Sequence, residues 1–173
     1  TNFDCSAFWV AERSHLVGAL NIDRPYYHNK ATDTGEVIDY RDWQISLGRR
    51  FRALKLWFVL RSFGATGLRA HVRRHVELAT AFARWVEDDP AFELAAPQRL
   101  GLVCFRFRGS DAENDELLER LNASGALYLT ATRLQERVVL RLAVGGTFTE
   151  ARHVEEAWRR IRSTAAALAA ERV

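Results

Sequence analysis

Residues 39–59 read DYRDWQISLGRRFRALKLWFV and join a polar segment to an aromatic one. The change in composition at Gly48 predicts that a loop ends there and that a helix begins. Three arginines fall in its first turn, where positive charge opposes the helix dipole: Arg49, Arg50 and Arg52. We therefore expect an acidic group opposite them, on a neighbouring segment, a subunit or a phosphate.

The aromatic residues of this predicted helix lie around most of its circumference. They are Phe51, Trp57 and Phe58. A helix that is apolar on most sides is usually buried. We expect this one to be largely buried and to form the wall of a site.

Length and composition limit the classes of protein to consider. The 173 residues make one domain or slightly more, and the net charge of +3 is too small to demand nucleic acid. No apolar run of 18 residues and no signal-like segment argues for a membrane or for export. Two distant cysteines, Cys5 and Cys104, fit a reducing cytoplasm. Because the chain starts at Thr1 and has no Met, we expect it to be part of a longer protein.

The N-terminal third is interrupted by a long polar stretch. Residues 2–10 are mixed and aromatic and predict the end of a strand, and residues 11–21 predict a short helical turn. Residues 21–37 have no hydrophobic period and are rich in turn residues. A structureless loop of this length is usually functional or disordered. Two adjacent tyrosines, Tyr26 and Tyr27, lie within it.

The remainder alternates helical and strand patterns. We predict a helix from Gly48 to residue 63 that Gly64 ends, and caps for two later helices at Ser110/Glu113 and Thr147/Glu150. The predicted helices and strands are, in order, residues 66–89 (helix), 92–96 and 100–108 (strands), 110–125 (helix), 127–132 and 137–143 (strands) and 147–170 (helix). This order predicts an α+β domain over residues 66–173, an antiparallel sheet with helices on one side.

Few side chains outside the loop suggest chemistry. His71 and His75 have the i,i+4 spacing of a metal pair, but no third ligand accompanies them, so we predict no metal site. Lys55 lies within the aromatic helix, where desolvation favours Schiff-base chemistry, although a lysine near arginines more often extends to solvent. A loop tyrosine is a usable general acid when the loop closes and excludes water. On the residues alone, the sequence describes an α+β domain with a candidate functional loop.

Several stretches resemble the aromatic-L-amino-acid decarboxylases, which are group II pyridoxal-phosphate-dependent decarboxylases. These stretches are NFDCSAFWV (2–10), DYRDWQ (39–44), LGRRFRALK (47–55), GLVCFR (101–106) and VVLR (138–141). The resemblance implies the α/β fold type I of aspartate aminotransferase. Residues 1–65 then end the large domain, with a catalytic loop at about 21–38 and an interface helix, and residues 66–173 form the small α+β domain.

The resemblance also implies that the chain is an incomplete lyase. The family's Schiff-base lysine would lie a few residues before Thr1, and its other residues that bind pyridoxal 5′-phosphate also lie upstream. No cofactor-binding residue is therefore expected in this chain. The implied partners are the upstream part of the same protein and a second subunit, in a cytoplasmic homodimer with the site at the subunit interface and with no nucleic acid or membrane.

The family's activity implies roles for four residues. An aromatic L-amino acid (DOPA, tyrosine, phenylalanine or tryptophan) loses CO2 to give the arylalkylamine, and a loop tyrosine helps to reprotonate Cα. Tyr26 matches that tyrosine, Arg41 matches an arginine at the base of the loop, and Phe3 and Gly48 match the substrate pocket. Gly48 resembles the aromatic-amino-acid enzymes, whereas histidine decarboxylases carry Ser there.

Two alternatives remain open. Relatives with Phe at the loop position make aldehydes by oxidative deamination, so an aromatic aldehyde synthase is the alternative within the family. The second is a non-catalytic interaction module that keeps the small-domain fold. An intact loop with Tyr26 and Arg41 favours catalysis.

Overall fold

A computed structural model describes residues 4–22, 31, 34 and 36–171. The chain forms two compact units, Thr1–Gly64 and Ala65–Val173, and each is described by itself.

The first unit contains little regular structure among its described residues. It has helix α1 (Arg13–Leu20), a 3-10 helix (Tyr40–Trp43) and the start of the long helix α2 (Ala53–Asp88). The predicted helical turn at 11–21 is confirmed by α1. The predicted strand at 2–10 is wrong over residues 4–10, which are irregular and leave Trp9 82% exposed.

Helix α2 begins five residues later than predicted, at Ala53 instead of Gly48. The backbone N–H of Arg52 donates to the carbonyl of Arg50 at 2.7 Å, so a tight turn precedes the helix. The arginines therefore lie before the first helical turn or at its edge. Gly64 interrupts the helix with φ 63° and ψ 171°, a conformation essentially restricted to glycine.

The expected burial of the aromatic helix is not found among the described residues. Phe51 is 74% exposed, Trp57 55% and Phe58 56%. The described part of the first unit contains no sheet and no second long helix to cover them. The buried residues of α2 all lie in its second half: His75, Ala79, Phe82, Ala83 and Val86.

The second unit is built on a four-stranded antiparallel sheet in the order β1-β2-β4-β3. The strands are β1 (Phe92–Leu94), β2 (Leu102–Phe107), β3 (Thr130–Leu134) and β4 (Arg137–Ala143). Gln135 and Glu136 both have positive φ, as a two-residue hairpin between β3 and β4 requires.

Strand β4 has the predicted bounds, whereas β3 begins three residues later than predicted. Both backbone groups of Leu129 are bound by the Asn122 side chain, at 2.8 and 3.0 Å. Because Asn122 takes these groups, the strand pairing starts at Thr130.

Two further helices, α3 (Asp111–Ala123) and α4 (Ala151–Ala170), complete the unit. The predicted capping box of α3 is confirmed: Ser110 Oγ accepts from the Glu113 N–H at 3.3 Å, and Glu113 accepts from the Ser110 N–H. The predicted role of Thr147 is wrong, because a turn from Gly146 to Thr149 precedes α4 and makes Glu150 its N-cap.

The hydrophobic core lies in this second unit. Val103, Phe105 and Phe107 share one face of β2 and pack in one cluster with Phe82 of α2 and Ile161 of α4. A buried side chain of this size stabilises the fold by about 1.5–3 kcal/mol. Over the described residues, every buried hydrophobic side chain falls between Ala79 and Leu168. The predicted α+β architecture of residues 66–173 is confirmed.

Arg106 is the most deeply buried cation of the described part, with 2% of its surface exposed. It lies on the other face of β2, where its guanidinium contacts Asp111 at 2.9 Å, the carbonyl of Val138, and Glu93 at 3.8 Å. Asp111 also accepts the N–H of Val138 at 3.0 Å, and these bonds hold the pKa of its carboxyl below the usual range. The network ties the start of α3 to three strands.

Over the described residues, no helix has the length and apolarity needed to cross a membrane.

Candidate active-site segment

The 3-10 helix holds Arg41 between two carboxylates. The Arg41 guanidinium contacts Asp39 at 3.1 Å and Asp42 at 3.4 Å, and Asp39 also accepts the backbone N–H of Arg41. The Arg41 side chain is 20% exposed. A guanidinium shared by two carboxylates has a fixed orientation, so Arg41 is a rigid element of this turn.

The same turn is attached to α1 through an aromatic contact. The Arg13 guanidinium lies 5.2 Å from the centre of the Trp43 ring, and the Tyr40 and Trp43 rings meet edge to face at 5.4 Å. An exposed cation–π contact contributes about 0.5–1 kcal/mol. The turn is thereby positioned against the helix that precedes the predicted loop.

A small cavity of about 50 Å³ is lined by residues from both sides of the predicted loop region. Ile22 lies at the start of that region, Arg41 lies just after its end, and Leu47 directly precedes Gly48; all three line this cavity. Ile22 and Arg41 thus line one cavity, and the position of Arg41 at the base of a catalytic loop stays a prediction.

The acidic group expected opposite the arginines is Asp4. Its carboxylate contacts Arg52 at 3.0 Å, Arg50 at 3.3 Å and Lys55 at 3.5 Å. A hydrogen bond from its own backbone, and then the hydrogen bond from Arg52, lower the pKa of Asp4 to about 2. Asp4 therefore stays ionised at neutral pH. It contacts residues that lie 46 to 51 positions further along the chain.

Lys55 contacts the Asp4 carboxylate at 3.5 Å, an ion pair that favours a structural role over that of a Schiff-base lysine. It is the one lysine of the described part, since Lys30 lies outside it. That the residues binding pyridoxal phosphate lie upstream of Thr1 stays a prediction.

His71 and His75 pack edge to face with their ring centres 4.1 Å apart. His75 is 6% exposed and its Nε2 has no hydrogen-bond partner among the described residues. Burial, then the neighbouring His71 and Arg74, lower the pKa of His75. The described part of the chain holds no group of three His, Cys, Asp or Glu side chains suited to a metal.

Gly48 lies in an exposed, irregular segment between the 3-10 helix and α2. Its φ lies outside the left-handed range, and a Cβ added there would meet no atom of the described residues within 4 Å. Neither backbone conformation nor local packing requires a glycine here. Its role in a substrate pocket stays a prediction.

The predicted site residues are only partly within the described chain. Tyr26, its alternative Tyr27, and Phe3 lie outside the described residues. The structure brings Arg41 and Leu47 to one cavity and places Asp4, the neighbour of Phe3, against the arginines after Gly48.

Sequence reasoning did not identify the three carboxylates that hold these cations: Asp4, Asp39 and Asp42. Asp39 and Asp42 flank Arg41 in the sequence, so the spacing DYRD was an available signal. Asp4 offered no local signal, since its partners are remote in the chain.

The fold and the comparisons with known proteins agree on the class. TDC from Oryza sativa, solved with PLP and tryptamine, aligns with a TM-score of 0.85 and 40% identity over 90% of this chain and 34% of that one. The architecture is that of the pyridoxal-phosphate decarboxylases of fold type I. The pyridoxal-dependent decarboxylase conserved domain matches residues 1–108. The chain belongs to this pyridoxal-dependent decarboxylase family.

Sequence relatives confirm the resemblance to aromatic-L-amino-acid decarboxylases, of which the chain matches the C-terminal part. The aromatic-L-amino-acid decarboxylase of Mus musculus is 48% identical over 96% of this chain. Phenylacetaldehyde synthase of Arabidopsis thaliana is 44% identical over 97% of it. The chain spans about a third of the length of these relatives, 35% and 36% respectively.

Proposed function

We propose that the protein to which this chain belongs decarboxylates an aromatic L-amino acid to the arylalkylamine and CO2. The observation that carries this proposal is the family match over residues 1–108, which contains Phe3, Tyr26, Arg41 and Gly48. Substrates with aromatic side chains are supported by the similarity to aromatic-L-amino-acid decarboxylases. DOPA, tyrosine, phenylalanine and tryptophan are the candidates.

Pyridoxal 5′-phosphate, when bound, supplies the electron sink for loss of the carboxylate. We propose that its Schiff-base lysine and other binding residues lie upstream of Thr1. The role of this chain is then to close the site and to supply the proton that the substrate Cα receives. The Tyr26 phenol donates a proton to the substrate Cα after CO2 has left, and a closed loop excludes water from that step.

Arg41 acts on this step through the loop. Its ion pairs with Asp39 and Asp42 fix the base of segment 21–38, so the loop closes from a rigid anchor. Arg41→Gln in the full-length enzyme should therefore slow turnover while leaving cofactor absorbance unchanged.

Phe3 and Gly48 are proposed to line the substrate pocket, where the absence of a side chain at Gly48 leaves room for a catechol or indole ring. The exposed aromatic side chains at the start of α2 support a homodimer in which this helix meets the second subunit. Free Cys5 and Cys104 fit a cytoplasmic enzyme.

Replacement of Tyr26 tests the proposal in the full-length holoenzyme. Tyr26→Phe removes the phenol proton, so amine formation should fall by about 10²-fold or more, the scale of general acid catalysis. Amine is measured by liquid chromatography, with Tyr27→Phe as the matched control. Unchanged amine formation by Tyr26→Phe would reject the role of Tyr26.

An aromatic aldehyde synthase is the second candidate, favoured by the similarity to phenylacetaldehyde synthase. Such an enzyme consumes O2 and releases aldehyde, CO2, ammonia and hydrogen peroxide. Peroxide from the unmodified enzyme in amounts equal to CO2 would support it, whereas peroxide that appears only in Tyr26→Phe supports the decarboxylase. A non-catalytic module predicts that the full-length protein does not bind pyridoxal phosphate at all.

A further inference from the structure

The second unit has an open groove of about 710 Å³ between the end of α2, strand β1 and helix α4. This volume is within the roughly 300–1,000 Å³ of small-molecule sites. Its floor and walls are largely aromatic or small: Trp85, Phe92, Phe107, Trp158, Ala166 and Ala169. Trp158 and Phe92 are themselves packed into the core, with ring centres 5.0 Å apart, so the apolar floor is rigid.

A second hollow of about 370 Å³ extends the groove to the C-terminal end of α2. It shares Trp85, Asp89, Trp158 and Arg162 with the groove and adds Asp88. Helix α2 ends at Asp88, and the last carbonyls of a helix carry a partial negative charge. Acidic side chains and the negative end of a helix dipole therefore meet beside an indole ring.

The charges in the groove are unequally compensated. Arg162 is paired with Asp89 at 2.8 Å, and Arg159 is held by Glu156, which lies outside the groove lining. Within the described residues, Asp88 and Glu155 have no such partner. Glu156 also pairs with Arg160 at 2.6 Å, so it compensates Arg159 only in part. The groove and the second hollow together hold three carboxylates, Asp88, Asp89 and Glu155, against the two arginines, which leaves a net negative charge.

We propose that this groove binds a small arylalkylamine, with its ring on the apolar floor of the groove and its ammonium group beside Trp85 and Asp88. An ammonium over an indole face gains cation–π attraction, and a nearby carboxylate and helix C-terminus add to it. The ligand class follows from the groove; that the ligand is the enzyme's own product rests on the proposed function.

The test uses the full-length holoenzyme after borohydride reduction, which prevents turnover. Binding of 2-phenylethylamine is measured by equilibrium dialysis, with phenylacetate as the anionic analogue of similar size. We expect the amine to bind and phenylacetate to bind about ten-fold more weakly or worse. Equal or tighter binding of phenylacetate would overturn the proposed ligand class.

Two substitutions on one exposed stretch of α4 assign the binding to the groove. Ala166→Trp fills the groove, and Ala167→Trp, on an adjacent exposed position outside the lining, is its control. Ala166→Trp should weaken amine binding at least about ten-fold and Ala167→Trp should not change it. Asp88→Asn should weaken amine binding several-fold and should reduce the difference in affinity between 2-phenylethylamine and phenylacetate.

Equal amine binding by Ala166→Trp and Ala167→Trp would overturn the proposed site. Absence of amine binding by the unmodified protein would also overturn it, and this result is expected if another segment of the full-length protein covers the groove. The assay needs no catalysis, so a protein that fails to decarboxylate any aromatic amino acid but binds the amine in this groove would refute the proposed function alone.

Discussion

The carboxylate of Asp4 stabilises the cationic turn before α2. Because its pKa in the folded protein is about 2, below the ordinary 3.8, its contribution to stability is complete above pH 3.8 and is lost as the pH falls through 2. Asp4→Asn leaves Arg50, Arg52 and Lys55 without this anion, so we expect lower stability at pH 7. The difference from the unmodified protein should shrink between pH 3.8 and 2.

Urea unfolding midpoints of the full-length protein, measured across this pH range, check the prediction for Asp4. Asp115→Asn, on an exposed position of α3, is the control and should leave the midpoint unchanged. A destabilisation by Asp4→Asn that did not vary with pH would show that the charge is not its cause.

His75 should make the second unit sensitive to mild acid. Its folded pKa is lowered from 6.5 by burial and by the adjacent His71 and Arg74, against the smaller opposing effect of a hydrogen bond with the backbone of Gly146. Since the folded protein disfavours the charged imidazole, stability is complete above pH 6.5 and falls as the pH falls below it.

The prediction for His75 is checked by measuring the Tm of thermal unfolding at pH 7.5 and at pH 5. His75→Gln should reduce the loss of Tm between the two values, whereas His15→Gln, on helix α1, should not change it. An identical loss in the unmodified protein and in His75→Gln would contradict the assignment to this side chain.

At the scale of the element, the start of α3 depends on a local side-chain exchange. Ser110→Ala removes the hydroxyl that accepts the Glu113 N–H, which should cost about 1 kcal/mol of the free energy of unfolding. Thr147→Ala is an informative control, because the sequence predicts a cap there and the structure assigns the cap of α4 to Glu150. It should have almost no effect in chemical unfolding, and equal losses for the two variants would contradict the structure at α4.

These elements show which boundaries of helices and strands can be predicted from the local sequence. The α3 capping box needs two residues three positions apart, and β4 is a short run of aliphatic residues that ends before the glycines at 145 and 146, so both were predictable. The start of β3 was not, because Asn122 captures Leu129 from another element. The start of α4 was missed because Thr147 and Glu150 have the spacing of a capping box, whereas the turn from Gly146 to Thr149 moves the N-cap to Glu150.

The candidate site was less predictable than the fold for the same reason. Arg41 and its two carboxylates are neighbours in the sequence, whereas the contact of Asp4 with Arg52 spans 48 positions and appears only in three dimensions. The burial expected for Trp57 was not found, because a sequence pattern reports that a side chain is apolar and does not report whether another surface covers it.

On the scale of the whole molecule, the distribution of buried surface separates the two units. In the described chain, the buried hydrophobic residues all lie in Ala65–Val173, including Phe82, Phe105 and Ile161, whereas the first unit exposes Trp9, Phe51 and Trp57. A unit with its own core of this kind is able to fold alone. We therefore expect residues 65–173, expressed separately, to unfold cooperatively with native-like circular dichroism.

Residues 1–64 expressed alone should show no cooperative transition, because none of the hydrophobic side chains described in that unit is buried and little apolar surface offsets the loss of conformational entropy. Phe105→Ala within the 65–173 fragment should lower its free energy of unfolding by about 3–5 kcal/mol, while Phe148→Ala, at a site 85% exposed, should change it little. A fragment 65–173 that remained unfolded would mean that this unit depends on the rest of the protein for its stability, so its core alone would not be sufficient for folding.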